Sequence, residues 1–165
     1  KTNISYTIYT NLHTNTAYSS LAAQVTKIFP ITLNTFIIPT IYGRFIFNDG
    51  IPFMYSNVIG GEGYNPHYEQ QIPFSGLTHT ESTLKLLGNA QIQVRHKFHE
   101  KQYLTLSGNY AIHQNQFSNF LQGKKIYGTS IGYGYDSPLG PIEGFICYSN
   151  RTNKLGFYLN IGFGF

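Results

Sequence analysis

The sequence predicts an all-β fold, an antiparallel transmembrane β-barrel with eight strands in this chain. Three observations predict it. Eight segments alternate apolar and polar residues with period two, and most are about 10 residues or longer, the length a tilted strand needs to cross a bilayer. Charge is scarce and falls almost wholly on one face of those segments. The connections alternate between short and long, as the two ends of a membrane barrel require.

The first segment, 3–12, sets Ile4, Tyr6, Ile8 and Leu12 against Asn3, Ser5, Thr7 and Asn11. The second spans 20–30 and the third 35–47. The third is the most apolar run, but Pro39, Gly43 and Arg44 break it well short of the roughly 18 residues of a membrane helix. In the fourth, 84–98, Leu84, Leu86, Gly88, Ala90, Ile92 and Val94 oppose Lys85, Asn89, Gln91, Gln93, Arg95 and Lys97. Segments 102–113, 125–136 and 141–149 follow. The sixth carries Tyr127, Ile131, Tyr133 and Tyr135 on its apolar side, and Tyr148 stands near the end of the seventh, where rings with a polar tip suit a water–lipid boundary. The last, 156–165, opposes Phe157, Leu159, Ile161, Phe163 and Phe165 to Gly156, Tyr158, Asn160, Gly162 and Gly164.

Connections near 31–34, 99–101 and 137–140 are tight, and those near 13–19, 48–83, 114–124 and 150–155 are mostly longer. The loop at about 48–83 is the principal outer or lumenal loop of a single domain covering 1–165. Arg44, Lys85, Arg95, Lys97 and Glu143 share the polar parity and are expected to line the barrel interior, because a Lys or Arg facing lipid at mid-membrane costs about 2–4 kcal/mol. Lys27 and Lys125 have the apolar parity but lie near strand ends, within reach of head groups.

Composition agrees with this reading. Of 165 residues, 16% are aromatic and 17 are glycine, while charged residues make up only 11%, less than half the share usual in a globular domain. The net charge of +4 is scattered rather than gathered into a stripe, which argues against nucleic acid as a partner. Cys147 is the single cysteine and reads as a small strand residue; an internal disulfide is excluded. The sequence begins at Lys1 without a methionine or a signal peptide, so the expectation is a chain whose signal has been removed or a piece of something longer.

No catalytic, cofactor or metal constellation emerges. Gly128-Thr-Ser130-Ile-Gly132 has the spacing of a nucleophile elbow, but the segment continues as a strand into a turn with no helix behind it. Asp49 offers it no support from its loop. His96 and His99 fall on opposite faces of a strand, and His13, His67, His79 and His113 lack ligand partners at diagnostic spacing. Gly60-Gly61-Glu62-Gly63-Tyr64 lacks the strand–turn–helix setting of a phosphate cradle and reads as a flexible turn in the long loop.

The stretch from Lys125 to Phe165 resembles the final three strands of the bacterial surface antigen barrels, an outer-membrane superfamily that includes assembly and secretion pores. Within it, "GYDSPLGPIEG", "YSNRTNK" and the loop "VIGG…QQIPFSG" resemble most closely the C-terminal barrel of Bacteroidetes patatin-like phospholipases. The resemblance implies a bacterial outer-membrane location and the last eight strands of a sixteen-stranded barrel. It also implies a membrane-insertion signal in the last strand (Phe157, Leu159, Ile161, Phe163, Phe165), read by barrel-assembly machinery. The family's lumenal loop motif would fall at Glu62-Gly63-Tyr64, with glutamate where the family has arginine. The family's lipase residues lie in a separate N-terminal domain, and Ser130 does not inherit their role.

On this reading the chain is not an enzyme but the membrane anchor and translocation module of a patatin-like phospholipase, bathed by outer-membrane lipid and able to pair as a homodimer. Two alternatives stand beside it: an independent, closed eight-stranded outer-membrane protein that binds ligands through its loops, and a soluble lipid-binding barrel. Parity alone does not tell inward from outward. Few charges on the opposite face, the alternating connections and the terminal aromatic favour an outward apolar face.

Overall fold

Period-two alternation becomes strand wherever both neighbours can complete the backbone ladder. The computed structural model describes residues 1–11, 16–47, 51–52, 55–61, 70–77, 79–138 and 140–162. Its strands are β1 (Thr2–Asn11), β2 (Thr16–Thr26), β3 (Phe29–Thr32), β4 (Thr35–Ile46), β5 (Val58–Ile59), β6 (Gln71–Ile72), β7 (Glu81–Ser82), β8 (Leu86–His99), β9 (Gln102–Gln114), β10 (Lys124–Ser137), β11 (Gly140–Ser149) and β12 (Lys154–Ile161). One antiparallel sheet runs β1-β2-β4-β8-β9-β10-β11-β12, with β3 added beside β4; β6-β5-β7 form a small second sheet within the long loop.

Register gathers the apolar residues into a belt. Ile37, Val94, Leu106, Ile131, Ile146 and Phe157 are successive cross-strand partners from β4 to β12 and therefore share one face. From β9 to β12 that face is bare: Leu106, Ile131, Ile146 and Phe157 are 53%, 54%, 55% and 67% exposed, while Ile37 and Val94 are half-buried. One residue away along the strands, Ser107, Ser130 and Cys147 form the matching row on the opposite face, and all three are buried. At this level the wall is inside-out relative to a soluble domain, with small and polar residues on its covered face and apolar residues on its bare one, as expected of strands set in lipid.

Side-chain contacts show that the sheet curls toward its polar face. In a flat sheet β8 and β11 would stand about 14 Å apart, three strand spacings. Yet Arg95 of β8 meets Glu143 of β11 at 3.4 Å. The core sits inside the curl, where Ile59, Ile72, Phe74 and Leu77 of the long loop pack on Leu87, Ala111 and Ile126 of the wall.

All eight expected strands are present, with different limits. β2 begins at Thr16 rather than 20, because pairs such as Tyr9↔Tyr18 and Ile8↔Ser19 supply a ladder that its polar composition does not advertise. The connection read at 13–19 thus shrinks to 12–15, which lies outside the described residues. Segment 20–30 divides into β2 and β3 at Lys27–Ile28, opposite Pro39. The Pro39 carbonyl accepts from Lys27 N (3.2 Å), so its ring nitrogen faces the same neighbour with no proton to give, and the ladder lapses there. β8 starts at Leu86, two residues later than expected, and β12 at Lys154, two earlier. Phe163 and Phe165 lie outside the described residues.

Candidate functional site

The long loop returns into the curl and is fastened to the wall at successive levels. Its own framework comes first. β5 pairs parallel with β6 and antiparallel with β7. Gly60 and Gly61 take φ of 110° and 73°, a backbone that L side chains rarely adopt, so the chain turns sharply after β5. Gly61 N donates to Leu77 O (2.7 Å), and Gln71 Nε2 donates to Gly60 O (2.8 Å).

Near the long-loop end, Arg44 projects from β4 and is buried. Its guanidinium donates to Asn57 Oδ1 (3.3 Å), Ser56 O (3.2 Å), Tyr55 O (3.4 Å) and Ser20 Oγ of β2 (3.1 Å). A fixed fork of donors meets several acceptors at once, which a lysine would not reproduce. Asn57, wholly buried, passes the connection on by donating to Leu84 O (2.8 Å) and Lys85 O (2.9 Å).

At mid-height the loop meets the wall side chain to side chain. Ser75 Oγ lies 2.9 Å from Ser107 Oγ, 3.1 Å from Ser130 Oγ and 3.4 Å from Asn109 Oδ1, and Ser107 and Ser130 are 2.6 Å apart. The closeness depends on glycine. A Cβ on Gly128 would run into the Ser75 carbonyl, and one on Gly76 (φ 81°) into the backbone of Tyr148. Thr152 Oγ1 and Asn109 Nδ2 donate to Gly76 O and Pro73 O and complete the attachment.

Toward the tight-turn end, Glu143 is buried and gathers Arg95 Nη2 (3.4 Å), Tyr103 Oη (2.8 Å) and Asn160 Nδ2 (3.5 Å), while Arg95 Nε donates to Thr105 Oγ1 (3.2 Å). The Arg95 guanidinium also lies 4.4 Å from the centre of the Tyr103 ring. A carboxylate drawn from water is tolerable when its oxygens are satisfied in this way. Tyr103 and Phe145 lie flat over Gly134 and Gly132, where a Cβ would enter their rings.

The remaining sequence-predicted positions fall as follows. Lys85 is half-buried just before β8; Lys97 has the inner parity but is exposed near the tight turn after β8. Gly60 and Gly61 belong to the loop framework, whereas Glu62, Gly63 and Tyr64 lie outside the described residues. Phe157, Leu159 and Ile161 point outward and are exposed. Ser130 is buried among serines on a strand that continues to Ser137, so no elbow forms around it. His96 meets Thr35 (2.9 Å) and His113 accepts from Leu84 N (3.3 Å); among the described residues no three His, Cys, Asp or Glu side chains are grouped to hold a metal.

Asn57, Ser75, Tyr103, Ser107 and Asn109 were not singled out by the sequence. The last three share the inner parity of β9 and were within its reach; Asn57 and Ser75 lie in loop without periodicity. Chemically the arrangement is a set of hydrogen-bonded fastenings that hold the loop against the wall.

The description OMP85 superfamily belongs to a family whose sequence signature matches residues 2–165. No curated protein and no solved structure matches the chain. With an antiparallel strand wall, an apolar exterior and a signature spanning nearly its whole length, the chain belongs to the OMP85 superfamily and is an outer-membrane-type β-barrel domain.

Proposed function

We propose that this chain forms one side of a bacterial outer-membrane barrel, plugged by its own long loop, and serves as membrane anchor and translocation module for a patatin-like phospholipase. The observation that carries the membrane part is the exposed row Leu106, Ile131, Ile146 and Phe157 set against a buried row of Ser107, Ser130 and Cys147. A soluble lipid carrier needs the reverse, an apolar lining and a charged exterior. The link to a lipase is supported by the likeness of "GYDSPLGPIEG" and "YSNRTNK" to that family's barrel. The work of this chain is physical rather than catalytic.

Closure at eight strands leaves an interior that side chains alone fill. Here the interior holds a folded loop with its own small sheet and buried core. Asn3 and Ser5, on the inner face of β1, remain exposed, unlike the covered inner residues of β9. Between β1 and the plug lies a cleft of ≈ 510 Å³ lined by residues such as Asn3, Ser5, Thr7, Gln24 and Arg44. This geometry favours a wider cylinder, completed by further strands from the same protein or from a second copy. Strand edges left open in lipid would each carry unsatisfied backbone groups. Insertion would pass through barrel-assembly machinery.

Expression of the complete reading frame that encodes this chain tests the proposal. The product is expected in the outer-membrane fraction, with heat-modifiable migration and with phospholipid hydrolysis that leaves the membrane when residues 1–165 are deleted. Recovery of the intact product in the soluble fraction contradicts the anchor; a membrane-bound product without hydrolysis contradicts the lipase link alone.

A further inference from the structure

The 3-10 helix Phe117–Gln122, in the loop between β9 and β10, leans on the outside of the wall through two of its rings. Phe117 stacks obliquely on Phe45 of β4 with ring centres 4.4 Å apart. Phe120 overhangs Gly88 of β8 so closely that a Cβ there would come within 2.9 Å of its ring. Beneath this shelf, Ala23, Gly43 and Gly88 are cross-strand partners on β2, β4 and β8, a row with almost no side chain. The result is a groove of ≈ 670 Å³ on the outward face, within the size range of a ligand site.

The groove is continuous with the apolar belt, so an aliphatic chain is the medium it meets. Its register row also ends in charge. Gly88 pairs with Ile112, and Ile112 with Lys125, which places an outward lysine two strands, about 10 Å, from the groove. Lys125 is exposed, at the end where the long loops lie and head groups would be met. A negatively charged head group with an acyl tail satisfies both halves of the feature.

We propose that this groove holds one acyl chain of a phosphate-bearing lipid, with Lys125 engaging its head group. The proposal rests on the outward, lipid-facing reading of the belt. Gly43 supplies a selective test, because a Cβ on it meets nothing closer than the Leu87 carbonyl at 3.9 Å. Gly43→Leu should therefore occupy the groove without disturbing the wall.

The full protein, purified in mild detergent, is mixed with equal amounts of phosphatidylglycerol and phosphatidylcholine and examined by native mass spectrometry. Wild type is expected to retain one phosphatidylglycerol per copy of this chain, at least tenfold over phosphatidylcholine. Gly43→Leu should lower that retention about tenfold while heat-modifiable migration is kept. Lys125→Gln should retain the two lipids equally. Undiminished retention by Gly43→Leu, or no preference in wild type, overturns the groove while leaving the barrel intact. A protein monodisperse without detergent and binding neither lipid overturns the membrane reading itself.

Discussion

Gly128 and Gly144 separate two uses of glycine in this wall. Gly128 faces inward against the Ser75 carbonyl and the Phe74 ring, while the outward Gly144 would place a Cβ 3.9 Å from Phe157, at ordinary contact distance. Gly128→Ala must push the loop away or bend β10, a cost of about 1–3 kcal/mol in a packed setting. Limited proteolysis of the folded protein should therefore cut the segment around Phe74–Leu77 several-fold faster in Gly128→Ala and at the wild-type rate in Gly144→Ala. Equal protection in both variants would show that the loop is not seated against β10.

At this scale parity conveyed much and the loop almost nothing. Alternation alone set Arg95 and Glu143 on one face, and the structure brings them within 3.4 Å. Glycines 128 and 132 share the parity of Ser130, and only the fold shows that Ser75 and Phe145 claim their space. Asn57 and Ser75 carried no signal, since a hydrogen bond across 32 residues, as from Ser75 to Ser107, leaves no local pattern.

Among the elements, β10 is the clearest case of a two-sided strand. Ile126, Gly128, Ser130, Gly132 and Gly134 are buried, while Tyr127, Thr129, Ile131 and Tyr133 are exposed. Its outward ends carry aromatic company: Tyr127 pairs with Tyr110, and Tyr133 lies 6.2 Å from Phe98. Such rings suit the two boundaries of a bilayer. Ile131→Lys, halfway along β10, should destabilise the folded protein in lipid vesicles by about 2–4 kcal/mol, whereas Ile161→Lys, close to the tight-turn end, should cost about 0–1 kcal/mol. Urea titration followed by tyrosine fluorescence measures both; equal costs would contradict a bilayer around the wall.

Strands were legible because their period is carried by the residues themselves, and their limits were not, because limits are set by partners. β2 extends to Thr16 on the strength of its pairing with β1, and breaks opposite Pro39 through a donor missing on the neighbouring strand. The two-residue strands β5, β6 and β7 are too short for any period, and the shelf at Phe117–Gln122 read as loop because its apolar face serves the outside of a wall that the sequence alone does not display.

On the scale of the whole molecule, a curled sheet holds the long loop against its inner face and turns a belt of apolar residues outward. The plug is tied to β4 through Arg44, to β9 and β10 through Ser75, and to the end of β11 through Gly76 and Thr152. Distributed fastening lets the loop brace several strands at once, and β1, at one end of the sheet order, is separated from the loop by a cleft.

Solvation of the outward belt is measured most directly with nitroxide labels placed singly at Val94, Leu106, Ile131, Ile146 and Phe157, in a Cys147→Ser background, with Gln93 as the inward control. In the complete protein reconstituted into vesicles, the five belt positions should collide freely with dissolved oxygen and hardly at all with an aqueous nickel chelate, and Gln93 should not share that profile. Belt labels quenched by the chelate and sheltered from oxygen would mean that water or protein, not acyl chains, covers this face.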